Sequence, residues 1–275
     1  MEKIKVKIID TNFAHAKYSS DFQESKYIEW DRNSLNHEGP LFMTDNSMYS
    51  LGHAYHPNKI GMLMEPRAMN PAIYDWIKAN RYDFNRILTY DKELLAIGKP
   101  FERFYHGMCW IYEKDMKVYE KTKLMSIIAS AKTQLYGHNL RHQTILMFKN
   151  YFDVYGRGYK QVDYKLDALK DYAYSVVIEN SKQDYYFTEK LLDCFVTGTV
   201  PIYWGCPSIG DFFNTDGMII FNTLEDLQSQ INSLTLDKYN SMLPAINENF
   251  ERAKSFTLAE DWIFENTDIF KEYKK

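Results

Sequence analysis

Short apolar runs alternate with longer amphipathic stretches along this 275-residue chain, as they do when strands and helices take turns in an α/β fold. Residues 4–9 (IKVKII) predict a first strand, residues 41–43 a short one and residues 60–64 (IGMLM) a buried one. Residues 71–79 then carry a helical pattern, and residues 86–90 (RILTY) read as another strand. Residues 94–97 and 108–111 suggest further strands, and the charged stretch 112–123 (YEKDMKVYEKTK) has no core face and reads as a linker. Beyond it, residues 124–129 (LMSIIA) are as uniformly apolar as a strand of a parallel-sheet core. A helix over 140–151, a Gly-bearing strand edge at 152–158 and a helix over 165–172 follow. The strand 174–178 (YSVVI), a helix over 188–196, the strands 200–204 (VPIYW) and 218–221 (MIIF), and a helix over 224–234 complete the pattern. The tail 236–273 is mostly helical.

This repeated strand–helix–strand order implies doubly wound parallel sheets with ligands at the carboxyl ends of the strands. The length suits two units of roughly 100–150 residues, with an N-terminal unit expected over 1–120 and a C-terminal one over 121–275. Composition narrows the function. A chain that is 45% hydrophobic and 25% charged can bury a core and is not disordered. With 33 basic and 37 acidic residues its net charge is −4, opposite to that of proteins that grip nucleic acid through the phosphates. Cys109, Cys194 and Cys206 are odd in number and lack metal-site spacing, so a reducing compartment is expected. The start of the chain has no signal-peptide run, no stretch approaches the ~20 apolar residues of a membrane span, and no Asn-x-Ser/Thr occurs. The expectation is a soluble cytoplasmic protein without a membrane anchor, of bacterial, phage or viral origin.

Residues 174–214, YSVVIENSKQDYYFTEKLLDCFVTGTVPIYWGCPSIGDFFN, carry the candidate chemistry. The strand stops at Glu179-Asn180-Ser181, and Thr188 stands where an N-cap would. Leu191, Leu192, Phe195 and Val196 have the spacing of a buried helix face. A helix starting at Glu189-Lys190 would aim its free N–H groups at the strand-end crevice, which favours phosphate. Lys190 would add a point charge, and Glu189 is in reach of a sugar hydroxyl. Each residue also has an ordinary explanation: a first-turn Glu complements the helix dipole, a Lys is commonly solvated and an Asn commonly turns the chain. Their convergence in one strand–loop–helix unit favours a site.

The stretch ENSKQDYYFTEKLLDCFVTGTVPIYWGCPSIGDFF closely resembles the signature of the α1,3/4-fucosyltransferase family over about 40 positions. The resemblance implies two Rossmann-like domains in the GT-B arrangement with a donor cleft between them, inversion at the anomeric carbon, and GDP-fucose as donor. It implies that Asn180, Tyr186, Glu189 and Lys190 hold the nucleotide, Lys190 at the pyrophosphate and Glu189 at a ribose. Tyr185, Tyr203 and Trp204 lie in or beside the same motif, where rings can pack on a base or sugar. Upstream, IIASAKTQLYGHNLRHQTILMF is similar to the family's strand, Ser-rich turn and helix, and offers Ser130 and Arg141 to the donor phosphates; FDVYGRG resembles the Gly-rich stretch that follows. In the first unit IGMLMEPRAMNP places Glu65 after a buried run, where the family keeps its general base. Arg67 two residues on is positioned to pair with Glu65 and lower its pKa.

No Asp-x-Asp triplet of the kind that chelates a donor diphosphate through a metal occurs. Neither histidine pair, His53 with His56 or His138 with His142, has a nearby third ligand. No metal and no cofactor is expected, with Arg141, Lys190 and a helix N-terminus neutralising the leaving group. The expected activity is transfer of a sugar, L-fucose from GDP-fucose, to a hydroxyl on a glycan. Two other readings remain: a phage or viral transferase acting on a modified nucleic-acid base, with DNA as acceptor, and a non-catalytic nucleotide-sugar-binding protein.

Overall fold

The computed structural model describes residues 2–12, 16–34, 39–53, 56–105 and 107–274; the side chain of His53 lies outside the described set. The chain divides into two compact units, Met1–Met108 with Leu258–Lys275, and Cys109–Thr257.

The first unit is built on a six-stranded sheet: β1 (Ile4–Ile9), β2 (Ile28–Asp31), β3 (Leu41–Thr44), β4 (Lys59–Met62), β5 (Arg86–Thr89) and β6 (Phe101–Arg103). The strands lie in the order β2-β1-β3-β4-β5-β6, all parallel. Helix α1 (Pro71–Ala79) starts with Pro at its first position, where a missing N–H costs nothing, and buries Ile73, Tyr74 and Ile77. Residues 94–97, expected as a strand, belong instead to helix α2 (Lys92–Ile97), which Asp91 caps by accepting from Leu94 N at 3.0 Å. The apolar run was too short for its period to separate strand from helix, and the cap was the better signal. Strands β2 and β6, short and polar-flanked, were not legible in the pattern.

The second unit holds β7 (Lys123–Ile128), α3 (Tyr136–Phe148), β8 (Asp153–Tyr155), β9 (Tyr172–Ile178), α4 (Glu189–Phe195), β10 (Val200–Trp204) and β11 (Ile219–Ile220). Its sheet runs β11-β10-β9-β7-β8, again all parallel. All seven residues of β9 are buried, the mark of a strand covered on both faces. The polar groups this traps are paired: Ser126 Oγ donates its one hydrogen to Ala168 O at 2.7 Å and can accept from the Ser175 hydroxyl at 3.1 Å. Helices α5 (Leu224–Ile231), α6 (Leu236–Ser241) and α7 (Leu243–Ala253) complete the unit. Residues 165–172 form only a 3-10 turn, Lys165–Ala168, before β9 begins. Residues 108–111 form no strand; Asp193 Oδ1 accepts instead from Trp110 N at 2.7 Å and from Cys109 Sγ at 3.3 Å.

The division therefore falls at Cys109 rather than near residue 120, and the last eighteen residues return to the first unit rather than closing the second. A buried carboxylate explains the return. Glu260, in helix α8 (Ala259–Asn266), is fully buried and accepts from Ser19 N at 2.6 Å, Ser19 Oγ at 2.5 Å and Trp30 Nε1 at 2.5 Å. The tail aromatics pack alongside, with Phe264 stacked on Tyr27 at 4.1 Å and Trp262 edge-on to Phe104 at 5.6 Å. Replacing Glu260 by Ala removes a shared acceptor from three buried donors and is expected to cost about 3 kcal/mol or more of stability. Urea unfolding of the whole protein followed by Trp fluorescence measures it, and a loss under about 1 kcal/mol would contradict this account.

Candidate functional site

In the second sheet the chain leaves β7 toward β8 on one side, while β9 pairs with β7 on the other. Strand order reverses there, so a crevice opens beyond the carboxyl ends of β7 and β9, where doubly wound sheets bind ligands. Ser130 lies two residues past β7, half-exposed, and Glu179 and Asn180 directly follow β9. Helix α3 enters over this edge, beginning at Tyr136 rather than at 140. Gly137, in its first turn, allows close contact: its N–H donates to Asn180 O at 3.2 Å, and a Cβ on it would stand 1.8 Å from Glu179 O. The close approach delivers Arg141, only 5% exposed, to the strand end. Its Nε donates to Ile178 O at 3.0 Å and its Nη2 to Asn180 Oδ1 at 2.7 Å. Arginine has only donors, so Asn180 must meet it with oxygen, and the amide N–H2 is turned away. Tyr186 is buried, and its phenol lies within electrostatic range of the Arg141 guanidinium.

The second wall is the start of α4. Thr188 caps it, with Oγ1 accepting from Lys190 N at 3.4 Å. Lys190 Nζ donates to Thr188 Oγ1 at 3.0 Å and to Glu189 Oε1 at 3.1 Å. Two groups that sequence reasoning passed over complete the arrangement. Glu179, fully buried, accepts from Thr188 N at 2.9 Å and Thr188 Oγ1 at 2.7 Å, with Lys190 Nζ at 3.6 Å. Lys165 Nζ lies 2.9 Å from Asp193 Oδ2 and 3.7 Å from Glu189 Oε1, and 4.2 Å above the Trp110 ring. Glu179 was visible as a strand-end polar residue adjoining the motif; nothing in the local pattern marked Lys165.

Burial opposes every charge here, and the partners decide the outcome. For Glu189 burial is outweighed by Lys190 and then Lys165, which hold its carboxyl well below the usual range. Glu179 is pushed up by burial despite the pull of Lys190. Burial also lowers Arg141, against the opposing effect of Glu179 and Glu189. His138, buried in the first turn of α3, is lowered to about 4 by burial and by Arg141, Lys132 and Lys190, so its ring is neutral at pH 7. Its Nδ1 accepts from Leu135 N at 3.2 Å. Six of the seven expected site residues, Ser130, Arg141, Asn180, Tyr186, Glu189 and Lys190, thus belong to one unit and gather at one end of one sheet.

Glu65 belongs to the first unit, three residues past β4, partly buried. Its N–H donates to Asp45 Oδ2 at 3.1 Å, and Met64 N donates to Asp45 Oδ1 at 2.9 Å. Tyr74 Oη donates to Glu65 O at 2.6 Å. Arg67 does not serve Glu65 as expected from spacing. It grips Asp91 with Nε at 3.1 Å and Nη2 at 2.8 Å, adds Glu93 at 3.2 Å, and lies over the Tyr74 ring. Asp91 also caps α2, which draws the arginine toward that helix. Among the described residues no three His, Cys, Asp or Glu side chains converge so as to hold a metal ion. The expected His53–His56 pair falls partly outside the described residues, at the His53 side chain. No helix among the described residues is long and apolar enough to cross a membrane.

Two Rossmann-like units, each with a fully parallel sheet, make up a fold of the GT-B type. An α1,3-fucosyltransferase crystal structure matches with a TM-score of 0.58 over 97% of this chain and 92% of that one, at 16% identity, a likeness of fold. Residues 118–243 match the model of glycosyltransferase family 10 (fucosyltransferase), C-terminal domain. A putative fucosyltransferase-like protein of Arabidopsis thaliana is 30% identical over 197 residues, covering 67% of this chain and 36% of that protein. The α-(1,3)-fucosyltransferase FucT of Helicobacter pylori is 31% identical over 97 residues, 34% of this chain and 20% of its own. The chain belongs to this fucosyltransferase family, and spans about a third or less of the length of these two relatives.

Asp45 gives the first unit a measurable signature. Burial pushes its carboxyl from 3.8 up to about 6, against the opposing hydrogen bonds from Met64, Asn12 and Glu65. A raised acid favours the folded state below about pH 4, and that contribution is lost as pH rises through 6. The rise from 3.8 to about 6 corresponds to roughly 3 kcal/mol. The stability difference between the wild type and Asp45→Asn should therefore change by about that amount between pH 4 and pH 7. A difference that stays flat across this range would refute the assignment.

Proposed function

We propose that this protein transfers L-fucose from GDP-fucose, with inversion, to an acceptor hydroxyl on a glycan. The observation that carries the reading is that Arg141, bonded to Asn180, and Lys190, bonded to Thr188, both stand beyond the carboxyl end of β9, inside the segment that matches the family. Each is anchored through part of its donor set. Arg141 uses Nε and Nη2 on Ile178 and Asn180, which keeps its Nη1 for a phosphate oxygen. The Asn180 amide, turned with its oxygen to Arg141, offers N–H groups, which suit an acceptor such as phosphate. Lys190 adds charge at the same place, and Ser130 and Tyr186 complete the phosphate side. Glu189, kept ionised by Lys190 and Lys165, suits a ribose hydroxyl as hydrogen-bond acceptor. The α1,3-fucosyltransferase with this fold has been crystallised with GDP and with GDP-fucose, which supports the same donor here.

In this reading the acceptor oxygen attacks the anomeric carbon of fucose as the bond to the β-phosphate breaks. Glu65 takes the proton of the acceptor hydroxyl, and GDP leaves with its new charge neutralised by Arg141 and Lys190. No metal and no cofactor is needed for that charge balance. The same reading places the protein in a reducing cytoplasmic setting, where the buried thiols of Cys109, Cys194 and Cys206 would persist.

GDP should raise the melting temperature of the protein in a thermal-shift series while UDP, CDP and ADP at equal concentration raise it less, because a ligand of the folded state alone stabilises it. Stabilisation by UDP and not GDP would overturn the fucose reading. Glu65→Gln should abolish transfer while leaving the Kd for GDP within about twofold, since the amide keeps the shape and loses only the basic oxygen. Transfer that survives this change would remove Glu65 from the mechanism. An unaltered protein that binds GDP and transfers nothing from any donor would make it a binding protein.

A further inference from the structure

Glu179 commits both carboxylate oxygens to one residue, Thr188, through its N–H at 2.9 Å and its hydroxyl at 2.7 Å. A hydroxyl has one hydrogen and two lone pairs. With the hydrogen given to Glu179, Thr188 Oγ1 faces Lys190 as an acceptor only, taking Nζ at 3.0 Å and the backbone N–H at 3.4 Å. The ammonium has three hydrogens. One goes to Thr188 and one to Glu189 at 3.1 Å, while Glu179 itself, at 3.6 Å, is too far for a good hydrogen bond. One hydrogen of known direction is left for a ligand. Glu179 is in turn immobile: its own N–H donates to Trp204 O at 2.9 Å, and a Cβ on the facing Gly205 would come within 2.7 Å of Glu179 Cγ.

We propose that Glu179 is a positioning residue for the donor diphosphate: by fixing the Thr188 hydroxyl as a one-way acceptor, it sets the place from which the Lys190 ammonium meets a phosphate oxygen. The proposal rests on Lys190 being a phosphate-binding group. A lysine stem has four rotatable bonds to order, and a fixed acceptor at its end removes that cost before the ligand arrives. Glutamine at 179 keeps the shape and the bond to Thr188 N, but its N–H2 faces Thr188 Oγ1. The hydroxyl must then accept, and its hydrogen turns toward the ammonium.

The test compares GDP and guanosine by calorimetry in the whole 275-residue chain. Glu179→Gln is expected to weaken GDP by about tenfold, the worth of one charge-assisted hydrogen bond, and to leave guanosine, which has no phosphate, unchanged. Thr188→Ser, which keeps the hydroxyl, should bind GDP as the wild type does, and Thr188→Val should lose as much as Glu179→Gln. The double variant Glu179→Gln with Lys190→Ala should bind no more weakly than Lys190→Ala alone. Unchanged GDP affinity in Glu179→Gln overturns the proposal, as does an equal loss for guanosine. If Lys190→Ala binds GDP like the wild type, the placement of Lys190 at the diphosphate fails first, and the two failures are thereby told apart.

Discussion

A charge buried at the end of a parallel strand must be matched by another, and in the second unit this requirement organises everything around the strand-end crevice. The charges form an alternating string. Asp193 meets Lys165 at 2.9 Å, Lys165 meets Glu189 at 3.7 Å, Glu189 meets Lys190 at 3.1 Å, and Lys190 meets Glu179 at 3.6 Å. No member is affordable alone, because an ion withdrawn from water without a partner loses several kcal/mol. Together they hold one another in place before any ligand is present. Such prior order is what an anion site requires, since dipoles and charges that need not reorganise are the most effective ones.

The string can exist only because the backbone comes close enough to carry it. Gly137 lets the first turn of α3 rest on the carbonyls of Glu179 and Asn180, and Gly205 leaves room for the Glu179 stem. On the other side of β7, Gly156, at φ +113°, performs a similar service: a Cβ there would stand 2.0 Å from Ala129 O, just before Ser130. Three missing side chains thus shape the crevice as much as the charged ones present. The strand order supplies the remainder, because only at the β7–β9 reversal do the two chain ends diverge and leave space.

In the first unit a single carboxylate plays the comparable part. Asp45, in a left-handed conformation at φ +36°, ties Asn12 to the consecutive residues Met64 and Glu65, two stretches of chain far from each other in sequence. The segment that carries Glu65 is held by its backbone at both ends of the peptide, through Asp45 and Tyr74, while Arg67 is drawn off to Asp91. Glu260 does the same for the returning tail, fastening Ser19 and Trp30 to α8.

The sequence by itself determined the α/β class, most strands of both sheets, and the strand end and helix start that flank the motif from Asn180 to Lys190, because these depend on periodicities and caps that are local. It also placed α1 and the start of α4 with their terminal residues, since Pro at a first helical position and a Thr cap act within one turn. Where the answer lay in a distant partner, the local pattern pointed elsewhere. The helix expected from residue 140 starts at Tyr136 because Gly137 can rest against Glu179, Arg67 turns from Glu65 to Asp91, and residues 258–275 leave the second unit because Glu260 meets Ser19. The inclusion of Lys165 and the burial of Glu179 were decided by tertiary structure alone, because the energy of a buried charge depends on what the fold brings next to it.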